Sequence, residues 1–191
     1  KGLLELVEFL KRDEEVDGYI VQLPLPDHID EQKILLAINP AKDVDGFHPE
    51  NAGRMMLGLP AYLPATPFGI MELLKRSKIE TAAKHVVVIG RSNIVGTPIS
   101  VMLSRKAQNA NATVTLCHSR TKNLKDITLQ ADILIAAIGK VGFVTADMVK
   151  PGATVIDVGI HRVEDVGKEK GYYLTGAVDY EEVAKKASAI T

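Results

Sequence analysis

The sequence predicts an α/β protein, with a doubly wound parallel sheet over its second half and a partial α/β unit before it. Two observations carry this prediction. From His85 onward four short runs of aliphatic and β-branched residues recur, HVVVIG, ATVTLCHS, DILIAAIG and ATVIDVGI, and helical stretches separate the first three. Continuous apolar strands alternating with helices indicate a parallel sheet covered on both faces. The part before them is instead rich in loops and prolines, which places a boundary between Pro64 and Ser77 and gives units of residues 1–66 and 67–191.

The chain opens on KGLLELVEFLKRDEE, where Leu3, Val7 and Leu10 stand at helical spacing. Gly18 to Leu23 (GYIVQL) reads as a buried strand closed by Pro24 and Pro26, with polar Gln22 near its end. Asp30 is placed to cap a short helix, DEQKILLAI, which Asn39-Pro40 stops. The next stretch, PAKDVDGFHPENAGRMMLGLPAYLPA, shows little periodicity and reads as a long functional or flexible loop. Thr66 then reads as an N-cap, with Pro67 first in a helix that runs to about Ser77. Beyond the four strands, HRVEDVGKEKGYYLTG is expected to form a surface hairpin or loop. DYEEVAKKASAI is expected to form a last helix capped by Asp179.

Of the 191 residues 46% are hydrophobic and 25% charged, the balance of a folded globular chain. A net charge of −1, five Tyr, four Phe and no Trp supply neither the basic field nor the aromatic platforms of a nucleic-acid binder, so a small-molecule partner is expected. The single cysteine, Cys117, has no internal partner and fits a reducing compartment. No apolar run approaches the length of a membrane span, and the reading is cytoplasmic, with no membrane partner. His28, His48, His85, His118 and His161 show no paired ligand spacing, so no metal is expected.

The sharpest local chemistry is GRSNIVG, residues 90–96, between strand HVVVI and helix TPISVMLSRKA. Strand, glycine turn and helix N-terminus together present backbone N–H groups to a pyrophosphate, which makes Gly90, Arg91, Ser92, Ile94 and Gly96 candidate cofactor-binding residues. Ser92 stands where the fingerprint has its second glycine. Either the backbone approaches the pyrophosphate less closely there, or the hydroxyl itself bonds a phosphate. The end of the second strand, LCHSRT, lacks the carboxylate that would hold a ribose 2′-hydroxyl. Ser119 and Arg120, with Arg91, suit a 2′-phosphate instead, so the cofactor is read as NADP bound to a Rossmann-like domain. The alternative for Arg120 is a solvated loop charge. Gly139 and Gly159-Ile160 end two further strands on the same edge. They could admit or pack a flat ring, or serve as plain turn residues.

The strings DGYIVQLPLP, PAKDVDGFHPENAGR, LPATPFGI, VVVIGRSNIVGTPIS, VTLCHSRT, KPGATVIDVGI and ASAIT, in this order, resemble the bifunctional methylenetetrahydrofolate dehydrogenase/cyclohydrolase family. The resemblance implies NADP-linked oxidation of 5,10-methylenetetrahydrofolate and hydrolysis of the product to 10-formyltetrahydrofolate. It also implies a place in one-carbon metabolism and purine biosynthesis, tetrahydrofolate derivatives as substrates, and a homodimer. It assigns Gln22 to orienting a catalytic lysine and Asp45 to binding the pterin; Asp43 is read as a loop-fixing residue. The family's Tyr-x-x-x-Lys motif does not occur in the 191 residues, nor does its Pro-Gly-Gly-Val-Gly-Pro segment. The expectation is a fragment whose lysine segment precedes Lys1 and which by itself is catalytically incomplete. Three departures stand out: Ala65 before Thr-Pro, Val141 after Gly-Lys, and GAVD at 176–179 in place of GDVD, which removes a carboxylate near the cleft. Two other readings remain, a noncatalytic nucleotide-binding module and a dehydrogenase of the same architecture acting on another small substrate.

Overall fold

The computed structural model describes residues 2–168 and 170–191. Lys1, where the expected opening helix starts, and Glu169, inside the expected hairpin, lie outside them. The chain divides into two compact units, residues 1–69 and 70–191.

The first unit is helical. Helices α1 (Gly2–Arg12) and α2 (Glu31–Ala37) bury Val7, Ile34 and Ala37, with Ile38, against Leu3, Leu4, Tyr19 and Val21. Asp30 caps α2 as expected, accepting the Lys33 N–H at 3.0 Å. At the other end of α1, the Lys42 ammonium donates to the carbonyls of Leu10 and Asp13 at 3.0 and 2.6 Å. A cation there satisfies the Leu10 carbonyl, in the last turn of the helix, and adds to the Val16 N–H on that of Asp13.

Three expectations fail in this unit. Gly18–Leu23 is not a buried strand: Ile20 is exposed, and only Tyr19 pairs, in an isolated bridge to Asp43 through the Lys42 carbonyl. The bridge is parallel, and the facing chain turns directly after Asp43, whose carbonyl accepts the Gly46 N–H at 3.1 Å with Gly46 at φ 68°, so it does not extend alongside Ile20 and Val21. The supposed long loop contains helix α3 (Pro49–Leu57), started by the His48 imidazole, which accepts the Glu50 N–H, and stopped by Gly58 at φ 72°. This helix buries only Asn51 and Met55, so no apolar stripe reveals it. Helix α4 (Ala65–Arg76) begins one residue before Thr66, which lies inside the first turn instead of capping it. Pro67 remains within that turn, where a missing N–H costs no helix bond.

The second unit is built on a five-stranded sheet of β1 (His85–Ile89), β2 (Thr113–Cys117), β3 (Ile133–Ala136), β4 (Thr154–Asp157) and β7 (Ala189–Ile190). Its order is β2-β1-β3-β4-β7, with every pair parallel. Alternate residues face opposite layers. Val86, Val88, Ile133, Ile135 and Ile156 pack with Ile70 and Leu74 of α4 and with Ile99 and Leu103 of α5 (Gly96–Ser104). On the opposite face Val87, Ile89, Leu134 and Val155 pack with Val144, Val149, Val178 and Val183. Helix α6 (Leu124–Thr128) connects β2 to β3.

The expected hairpin is present as antiparallel β5 (His161–Glu164) and β6 (Tyr172–Thr175). The expected last helix is shorter than the sequence suggests. Helix α7 spans Tyr180–Ala184, Asp179 holds the N-cap position without a capping side-chain bond, and Ala189–Ile190 leaves the helix to join the sheet as β7. Two residues are too few to show strand periodicity. Among the described residues no helix is long and apolar enough to cross a membrane.

Candidate dinucleotide site and substrate residues

The register of the sheet decides what meets at its carboxyl edge. Ile89 lies opposite Cys117 on one side and Ala136 on the other, and Ala136 lies opposite Asp157. Four loops therefore leave the sheet at one level, beginning at His118, Gly90, Ala137 and Val158. The chain passes from β1 outward to β2 and then returns to β3 on the other side of β1, so the strand order reverses beside Gly90. Such a reversal opens the crevice in which doubly wound sheets bind ligands.

Gly90 and Gly96 are required there by contact. Gly90 adopts φ 115°, and a Cβ on it would collide with the Ala137 carbonyl. A Cβ on Gly96 would collide with the Gly90 carbonyl. The turn is thereby folded back so that α5 starts directly above the end of β1. The Ser92 hydroxyl accepts the N–H groups of Val95 and Gly96 at 3.2 and 3.3 Å and so supplies the cap that Val95 lacks. Accepting with its lone pairs leaves the hydroxyl proton available to a phosphate oxygen. Ser92 has no positive φ, which explains why a glycine is dispensable at this place. Among the described residues the N–H groups of Arg91, Ser92, Asn93 and Ile94 donate to no protein acceptor. A turn with four free donors at a helix N-terminus fits an anionic pyrophosphate.

The loop after β2 is held by Thr121, whose hydroxyl accepts the His118 N–H at 2.8 Å, and by the His118 ring, which accepts the Arg120 N–H at 3.1 Å. These bonds fix the backbone while Ser119 and Arg120 stay exposed. Arg91 and Ile94 are exposed on the neighbouring turn. Cys117, fully buried at the end of β2, has its thiol pKa raised by burial, a shift that the Thr121 side chain partly opposes. Gly139 is exposed with open space around it, and Ile160 is 80% exposed. The sheet thus brings every sequence-predicted cofactor residue to one edge.

Sequence reasoning missed Asp157. Its carboxylate, at the end of β4, accepts three backbone N–H groups: Gly159 at 2.8 Å, Ala177 at 3.0 Å and Val178 at 2.9 Å. The available signal was a lone acid closing an apolar strand. In the GAVD segment, Ala177 is fully buried in the core cluster.

In the first unit Asp43 is 2% exposed and accepts the His48 N–H and the Asn51 amide at 2.8 and 2.9 Å. It is the loop-fixing residue expected, acting across the start of α3. Asp43→Ala removes the acceptor of the part-buried His48 N–H and one of the two acceptors of the buried Asn51 amide, which keeps the Pro40 carbonyl at 2.9 Å, and a loss of about 1–3 kcal/mol in urea unfolding is expected; an unchanged midpoint would refute this role. Asp45 is partly buried, and its pKa is raised by that burial and then by the neighbouring Asp43 charge. Gln22 is exposed, donates to the Leu23 carbonyl at 3.0 Å, and makes no hydrogen bond to Asp45. No cluster of metal-ligating side chains occurs among the described residues.

Strand, glycine turn and helix at the reversal point of a doubly wound sheet define a dinucleotide-binding protein. Residues 64–191 match the NAD(P)-binding domain of tetrahydrofolate dehydrogenase/cyclohydrolase, and residues 1–45 match the catalytic domain of the same family. The chain belongs to the tetrahydrofolate dehydrogenase/cyclohydrolase family. It is 63% identical over 189 residues to the bifunctional protein FolD of Cytophaga hutchinsonii, covering 99% of this chain and 65% of that protein. It is 64% identical to that of Flavobacterium johnsoniae, covering 99% and 64%. The chain therefore spans just under two thirds of the length of these relatives. Among solved structures, the bifunctional enzyme FolD of Campylobacter jejuni superposes with a TM-score of 0.90 at 50% identity, over 100% of this chain and 64% of that one. The methylenetetrahydrofolate dehydrogenase-cyclohydrolase of Trypanosoma brucei, solved with NADP and an inhibitor, gives a TM-score of 0.91 at 39% identity, over 100% and 64%.

Proposed function

We propose that the protein carrying this chain oxidises 5,10-methylenetetrahydrofolate with NADP and hydrolyses the methenyl product to 10-formyltetrahydrofolate, serving one-carbon metabolism and purine biosynthesis. The observation that carries this reading is the Gly90–Gly96 turn, shaped by backbone contact, within a chain whose two parts match both domains of one family. Residues 67–191 are assigned to the dinucleotide and residues 1–66 to the folate. The reading places the protein in the cytoplasm as a homodimer.

The dinucleotide supplies a hydride acceptor when bound. The chain's own residues then have separable tasks. The free N–H groups of 91–94 and the Ser92 hydroxyl bind the pyrophosphate. Arg91, Ser119 and Arg120 meet the 2′-phosphate, since no carboxylate near the end of β2 repels it. Gly139, Gly159 and Ile160 offer a flat, partly apolar surface to the ring that accepts hydride. Asp45 accepts the adjacent N–H donors of the pterin, and Gln22 orients the acid/base group. Lone pairs on the two folate nitrogens expel the hydride and share the positive charge left behind, so alignment matters more than a base in the first step. Hydrolysis does need proton transfer, and neither a glutamine nor an ionised, engaged aspartate supplies it. The lysine of the family motif fits that need.

NADP reduction on addition of methylenetetrahydrofolate tests the reading, and its absence in the full-length protein would overturn it. For cofactor choice, Arg91→Ala is expected to weaken NADP by about tenfold and NAD by less than about twofold in a binding titration. Equal losses would assign Arg91 to the pyrophosphate or the fold.

A further inference from the structure

Asp157 ties together two neighbouring segments by hydrogen bonds. The first is the turn leaving β4, whose Gly159 N–H it accepts. The second is the connection from β6 to α7, whose Ala177 and Val178 N–H groups it also accepts. One carboxylate receiving three N–H donors is a charge-assisted arrangement that no neutral side chain of this size reproduces. The backbone is shaped around it. A Cβ on Gly176 would collide with the Asp157 carboxylate, and a Cβ on Gly159 would come within 2.6 Å of the Ala177 nitrogen.

The clamp extends further on both sides. The Gly142 and Val144 N–H groups donate to the Gly176 and Ala177 carbonyls at 3.2 and 2.9 Å, and the Asp179 N–H donates to the Val144 carbonyl at 2.9 Å. The loop following β3 is thereby bound to the same 176–179 segment. On its other flank, the Asp157 N–H donates to the Thr191 hydroxyl at 2.9 Å. Asp157, Gly159, Ile160, Gly176 and Val178 line a cavity of about 830 Å³ at the carboxyl edge of the sheet. By contrast, the turn at 90–96 and the loop at 118–121 hold themselves through Ser92 and Thr121, with no bond to Asp157.

We propose that Asp157 is a positioning residue, which fixes the Gly159–Ile160 surface for the nicotinamide half of the cofactor while leaving the adenosine half to the β1 and β2 loops. The proposal rests on the dinucleotide reading above. It predicts that the two halves of the cofactor respond differently to one substitution. Asp157→Asn keeps one acceptor oxygen but sets an amide N–H against a backbone donor, so the three-way clamp is broken while the volume is preserved.

The full chain and its Asp157→Asn variant are titrated with NADPH and, separately, with adenosine 2′,5′-bisphosphate. Backbone amide exchange is followed at Gly159, Ala177 and Val178. The variant is expected to bind NADPH about tenfold more weakly and the bisphosphate within about twofold of wild type, with faster exchange at the three amides. In the wild-type chain, NADPH should slow exchange at those amides and the bisphosphate should not, a result that does not depend on the variant folding. Parallel loss of both ligands would make Asp157 a general fold residue and overturn the assignment. So would unchanged NADPH affinity in the variant, or NADPH binding that leaves wild-type exchange unaltered. Failure of the wild-type chain to bind either ligand would instead overturn the dinucleotide reading, and this inference with it.

Discussion

Gly96→Ala is expected to abolish dinucleotide binding and to destabilise the second unit by more than about 3 kcal/mol. The added Cβ would collide with the Gly90 carbonyl oxygen and lie 2.5 Å from the Gly90 carbon and 3.0 Å from the Arg91 Cα. All three atoms are backbone, so no side chain can swing aside, and either α5 or the turn must move. Moving α5 disrupts Ile99 and Leu103, which are fully buried against β1 and β3. Moving the turn disperses the four N–H donors that give it anion affinity. Gly139→Ala is the control. Nothing lies within 4 Å of its added Cβ and the backbone there has no positive φ, so the unliganded protein should melt within about 0.5 kcal/mol of wild type. Thermal unfolding with and without NADPH measures both. A Gly96→Ala variant with wild-type melting and wild-type stabilisation by NADPH would show that the turn has another shape.

The parallel sheet was legible because a strand buried on both faces is mostly apolar, and β1 and β3 are so over nearly their whole length. The glycine turn was legible because its position after such a strand has a mechanical reason. Legibility failed where burial was slight or the partner distant. Helix α3 buries one methionine and one asparagine, the latter for a bond to Asp43, so its apolar pattern is nearly empty. Its punctuation, His48-Pro49-Glu50 and Gly58, was the only sequence trace. The GYIVQL run erred in the opposite direction, since apolar composition alone suggested a sheet while Tyr19 alone found a partner. Asp157 was invisible as a clamp because its donors at 177 and 178 lie about twenty residues along the chain, and no local spacing encodes them.

The substrate side yields a prediction that separates stability from function. The folded environment raises the Asp45 pKa, through burial first and the Asp43 charge second. A carboxyl whose pKa is raised on folding opposes folding when ionised. That opposition is fully present above the folded pKa and fades as pH falls through it toward the unfolded value. Asp45→Asn should therefore leave stability at pH 7 unchanged or slightly higher. It should also remove Asp45's share of the pH dependence of unfolding on the acidic side of neutrality. Asp43 responds oppositely to loss of its carboxylate, because its oxygen is hydrogen-bonded within the fold. On the folate reading proposed above, Asp45→Asn in the full-length protein sets an amide donor against the pterin's own N–H groups. An unpaired contact of that kind costs about 1–3 kcal/mol, so the folate KM should rise about tenfold or more with NADP affinity nearly unchanged. Steady-state kinetics with folate varied at saturating NADP, together with urea unfolding at pH 5 and 7, test both halves. A variant that keeps wild-type folate kinetics would remove Asp45 from the site, and one that unfolds more easily at pH 7 would make it a structural residue like Asp43.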